Sequence, residues 1–102
     1  MQEWTRETFQ EQINHNQNTV LYLFTPLCGT CQVAGKMLSV TAELLPNLAI
    51  GKTDLNYIPD FAEQWEVESV PCLIIFHNKQ IREKIYAFHS VPFLLEKLKA
   101  LT

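Results

Sequence analysis

The chain has 102 residues, 47% of them hydrophobic, which is enough for one buried core and not for two, so a single domain over residues 1–102 is expected. Eight Lys and Arg against eleven Asp and Glu give a formal charge of −3, with the cations scattered, so neither nucleic acid nor an anionic membrane is expected as a partner. Three cysteines are too few and of the wrong parity for a disulfide-stapled scaffold, which leaves reactivity or packing to explain them.

Thr5 is a candidate N-cap for a modest amphipathic helix carrying Phe9 and Ile13, and the polar run Asn14 to Asn18 ends it. The start of the chain has neither a basic cluster nor a hydrophobic run, so it does not read as a signal peptide, and a cytoplasmic location is the expectation. Val20 to Phe24 is apolar on both parities and rich in β-formers, as in a strand buried on both faces; Thr25 and Pro26 stop it.

After Cys28, apolar residues recur at Val33, Met37, Val40, Leu44 and Leu45 up to Pro46, which predicts one long helix with Gly35 as a candidate bend. Leu48 to Leu55 predicts a second strand, and Pro59 begins a short helix containing Phe61, Ala62 and Trp65. Cys72 to Phe76 is another doubly buried strand. Asn78-Lys79 forms a two-residue turn into a partner strand over Ile81 to Phe88. Ser90 and Pro92 open a closing helix striped by Leu94, Leu95, Leu98 and Leu101. No apolar stretch approaches the roughly 20 residues that cross a bilayer. The order describes an α/β fold, a mixed central sheet with helices on both faces and a C-terminal antiparallel hairpin plus helix.

Cys28-Gly29-Thr30-Cys31 lies where the first buried strand gives way to the long helix. Residues i and i+3 of a helical turn have Cβ atoms about 5 Å apart, against roughly 3.8 Å in a disulfide, so a bridge can close and should be readily reduced. Free N–H groups and the positive end of the helix dipole favour a thiolate at Cys28, the expected nucleophile, with Cys31 one turn inward as the resolving thiol. Half of a zinc site and simple packing are the alternatives, although no second CxxC, HxxxH or CxxH exists to complete a metal site. His15, His77 and His89 share no ligand spacing and are expected to be solvated; Trp4, Trp65, Tyr86 and Phe88 are expected to pack at helix ends and the sheet edge.

Val20 to Phe24, Cys28-Gly29-Thr30-Cys31, Lys52 to Asn56 and Ser69-Val70-Pro71 together resemble the thioredoxin superfamily over nearly the whole chain. The resemblance implies a thioredoxin-like fold and a protein-disulfide reductase needing no cofactor, acting as a monomer on disulfide-containing client proteins and served by a flavoprotein reductase. It also implies a cis bond before Pro71, with the backbone of Val70 presented to an extended client beside Leu27, Gly29 and Thr30. Cys72, following Pro71, is then expected to lie near the dithiol, where it is a candidate auxiliary thiol, although a small buried cysteine packed in a strand is the favoured account. Three departures stand out: Leu27 replaces a partner-facing Trp, Thr30 replaces a Pro, and Tyr22 replaces a buried Asp that helps to deprotonate the second cysteine. A less strongly reducing couple is expected from Thr30. Lys52 matches a lysine near the same site, although an exposed strand-end lysine is the simpler account. A second function consistent with these departures is a redox-sensing or partner-binding module with little turnover. The first strand of the family is expected to shrink to residues around Glu3 and Trp4, or to vanish.

Overall fold

The computed structural model describes residues 1–102. The first strand is indeed reduced: β1 is Gln2–Glu3, paired in parallel with β3. Thr5 then caps helix α1 (Arg6–His15), its hydroxyl accepting the Thr8 N–H at 3.1 Å, and Phe9 and Ile13 turn inward as their spacing predicts. The apolar run forms β2 (Asn18–Phe24), and the long helix α2 covers Gly29–Leu44. Strand β3 (Ala49–Asp54) leads through a single 3-10 turn (Leu55–Tyr57) to α3 (Pro59–Gln64). β4 (Cys72–His77), β5 (Gln80–Ile85) and α4 (Val91–Lys99), the last capped by Ser90, complete the chain.

The strands lie in the order β1-β3-β2-β4-β5, with β2 at the centre, parallel to β3 and antiparallel to β4. Such a central strand must be apolar on both faces, which is why its sequence alternates nothing. Val20 and Tyr22 face a core shared with Ala34 and Leu38 of α2 and Leu94 and Leu98 of α4. Leu21 and Leu23 face the opposite core, with Phe9 and Ile13 of α1 and Phe61 of α3. Gly51 of β3 is required by packing, because a Cβ there would collide with the indole of Trp4.

The buried face of α2 is not the one its larger apolar residues outline, and the extent of β5 corrects the expected strand. The buried face of α2 is Cys31, Ala34, Leu38 and Thr41, whereas Val33, Val40 and Leu44 are exposed, because the sheet and α4 meet the helix one residue further round. Strand β5 ends at Ile85 rather than at Phe88, since its partner β4 begins at Cys72, directly after the cis bond between Val70 and Pro71. The turn between them is Asn78-Lys79, both at positive φ (51° and 70°), a type I′ geometry that matches the twist of a hairpin.

Candidate active site

The dithiol sits where β2 ends and α2 begins. Phe24 is followed by Thr25 and Pro26, which break the strand, and Cys28 becomes the N-cap residue of α2. Cys28 and Cys31 are joined as a disulfide, with their Cα atoms 5.2 Å apart. The Cys28 sulfur accepts the Cys31 N–H at 3.1 Å, so it occupies the place that a Ser or Asp oxygen takes at an ordinary cap. The Thr30 hydroxyl lies 3.3 Å from the same sulfur and is the donor, because a bridged sulfur has no proton to give. These donors and the end of the dipole all favour negative charge on Cys28 once the bridge is opened. Cys28 is half-buried, while Cys31 is only 4% exposed.

The Val70 carbonyl oxygen stands 3.9 Å from the Cys28 sulfur. Val70 and Pro71 form one wall of a groove of about 720 Å³, whose other walls include Gly29 and Thr30, Val33 of α2, and Tyr86 and Phe88. Five residues singled out in the sequence thus sort into four that line this groove and one, Leu27, that stands 98% exposed beside Cys28. Tyr86 and Phe88 belong to the groove and were missed. The signal lay in the hairpin: pairing β5 back along β4 returns the chain to the level of Pro71, so the residues after Ile85 must come to the dithiol's end of the sheet.

Cys72 follows Pro71 in sequence but points the other way. It is wholly buried in the core under α1 and α3, across the sheet from α2. Burial pushes its thiol up to about 11, against weaker opposing effects of the Tyr86 hydroxyl and Lys84, so it stays protonated at neutral pH. Cys72 thus lies on the face of the sheet away from α2, as a packing cysteine does, rather than toward the dithiol as an auxiliary thiol requires. Tyr22 is buried below Cys31 and donates its hydroxyl to the Cys31 carbonyl oxygen. Burial raises the phenol to about 12, so it holds the Cys31 backbone without ionising. Lys52, read as an exposed strand-end lysine, is half-buried, with its Nζ 5.8 Å from the centre of the Phe24 ring. None of the three histidines reaches the dithiol's groove: His77 bonds Asn18 at 2.8 Å and His89 packs on Phe93.

Comparison with known proteins agrees with this geometry. The thioredoxin family model matches residues 1–100. The thioredoxin-like protein YusE of Bacillus subtilis is 45% identical over 96 residues, covering 92% of this chain and 91% of that protein. An H-type thioredoxin of Fagopyrum esculentum is 32% identical over 85 residues, covering 83% and 72%. Among solved structures, mitochondrial thioredoxin 3 of Saccharomyces cerevisiae in its oxidized form superposes with a TM-score of 0.84 at 24% identity, covering 99% of this chain and 95% of that one. The thioredoxin of Fasciola hepatica superposes with a TM-score of 0.85 at 18% identity over the full length of both chains.

Proposed function

Since this chain belongs to the thioredoxin family, and is a thiol-disulfide oxidoreductase with disulfide-containing proteins as its partners, we propose that it works as a protein-disulfide reductase in which Cys28 attacks and Cys31 resolves. The Cys28 thiolate attacks one sulfur of the client's disulfide; a Cys28–client bond forms, the client bond breaks, and the other client sulfur leaves as a thiolate and takes up a proton. Cys31 then loses its proton and attacks the Cys28 sulfur, closing the internal bridge and releasing the second client thiol. Two electrons have passed from the dithiol to the client.

The observation that carries this assignment is the asymmetry of the pair: Cys28 is only half-buried and its sulfur receives the Cys31 N–H, whereas Cys31 is buried one turn behind it. The groove walled by Gly29, Thr30, Val70 and Pro71 is the client's seat, and Leu27 meets the client's surface. The chain acts as a monomer and is re-reduced by a flavoprotein reductase. The reaction belongs to a reducing compartment, the cytoplasm, where an unpaired third cysteine such as Cys72 is the ordinary state. Thr30 makes the couple less reducing than that of ordinary thioredoxin, which lies at about −270 mV, because its hydroxyl stabilises the reduced nucleophile.

In an insulin-reduction assay the wild-type protein turns over and Cys28→Ser is inactive. Cys31→Ser traps many different clients as mixed disulfides at Cys28. An inactive wild type that captures one dominant partner would instead identify the redox-sensing module.

A further inference from the structure

The flank of α2 opposite the client groove borders a second cavity, of about 620 Å³, within the range of roughly 300–1,000 Å³ typical of small-molecule sites. Tyr22 and Phe24 of β2 give it an aromatic wall, their rings stacked with centroids 5.8 Å apart and planes within 24°. Gly35 keeps it open, since a side chain there would begin 3.5 Å from the Tyr22 ring and extend into the space.

The charged side chains lining this cavity are Lys36 and Lys52, and no carboxylate lines it. Neither lysine takes part in the ion pairs of the protein, which join Arg6 to Asp60, Lys97 to Glu83 and Lys99 to Glu96. Two ammonium groups outside any ion pair, at the rim of an aromatic-walled, partly enclosed space, attract an anion whose body is apolar. The low-dielectric wall strengthens that attraction relative to open water.

We infer that this cavity binds a small amphipathic anion, an aromatic or aliphatic carboxylate or sulfonate, with its charge at Lys36 and Lys52 and its body against Tyr22 and Phe24. The site is separate from the client groove, but Cys31 lies in its wall, so an occupant would sit against the residue that carries the second sulfur.

The test uses anilinonaphthalene sulfonate, its neutral analogue phenylnaphthylamine, and decanoate, with the full chain in its oxidised state. The sulfonate is expected to bind at one site, to be displaced by decanoate, and to shift the amide resonances of Phe24, Gly35 and Ser39. The neutral analogue should bind at least about tenfold more weakly, a difference of about 1.4 kcal/mol. The double variant Lys36→Gln/Lys52→Gln should weaken the sulfonate by a similar factor, and Lys36→Arg/Lys52→Arg should restore it. Equal affinity for the neutral analogue, or amide shifts confined to the client groove around Val33 and Tyr86, overturns the proposal even if the lysine variants fail to fold.

Discussion

A single sulfur gathers most of the polarity at the dithiol. Cys28 accepts the Cys31 N–H and the Thr30 hydroxyl while capping a 16-residue helix. Only the first and last of these were foreseeable from the position of the motif. The Thr30 contact depends on a side-chain rotation that no spacing rule encodes, and the sequence offers Thr30 only as a residue that is not proline. Hydrogen bonds to charged acceptors contribute about 1.5–3 kcal/mol when protected from water, and less at an exposed site such as this. Thr30→Val keeps the shape and removes the donor. Alkylation of Cys28 at neutral pH should slow by several-fold, and an unchanged rate would mean that the hydroxyl turns to water once the bridge opens.

Two buried residues set the alkaline limit of the fold. An acid whose folded value is raised keeps its proton in the native state after the unfolded chain has lost it, so stability falls as pH climbs between the two values. For Cys72 that window runs from the ordinary 9.0 to about 11, and for Tyr22 from 10.0 to about 12. The urea midpoint should therefore be level up to about pH 8 and lower at about pH 10.5. Cys72→Ala, although less stable throughout from loss of packing, should show a shallower fall over that interval. A fall as steep as that of the wild type would remove Cys72 from the account.

The elements differ in how plainly they are written in the sequence. Caps and turns are local, and they were legible: Thr5, Ser90 and Asn78-Lys79 all stand where their side chains or backbone angles are used. Helix α2 shows the limit. Val33, Met37, Val40 and Leu44 repeat at intervals of four, three and four, and so do Ala34, Leu38, Thr41 and Leu45 one residue later. Periodicity cannot choose between two such arcs. The smaller set wins because Ala34 and Thr41 let the helix lie close against the sheet, with Leu38 as its one large buried anchor. A local feature is also where an element can be improved. Lys79 holds φ at 70°, a conformation that costs a side-chain-bearing residue about 1–2 kcal/mol relative to glycine. Lys79→Gly should stabilise the hairpin by about 0.5–1 kcal/mol after the extra entropy of the unfolded glycine is set against it, read as a rise in the denaturation midpoint.

At the scale of the molecule, the exposed apolar arc of α2 acquires a use. Val33 is 61% exposed, and it and Met37 line the proposed client groove together with Pro71, Tyr86 and Phe88, while Leu27 projects beside Cys28. An apolar arc left outside the core and running away from the reactive sulfur is what a reductase of extended protein segments needs: the chemistry is fixed by two cysteines, and affinity must come from surface around them. Burying the side chain of a valine at an interface yields at most about 1.5 kcal/mol, or about tenfold in binding. Val33→Gln keeps a residue suited to a helix and should leave the stability of the fold within about 0.5 kcal/mol of the wild type. It should lower kcat/KM for insulin by up to about tenfold, yet leave the reduction of the Cys28–Cys31 bridge by a small dithiol unchanged, because a small dithiol does not need the groove. If both rates fell together, Val33 would be acting on the dithiol itself. If neither fell, the client would be held on the Leu27 side of Cys28, and the outer arc of α2 would be left without a role in the exchange.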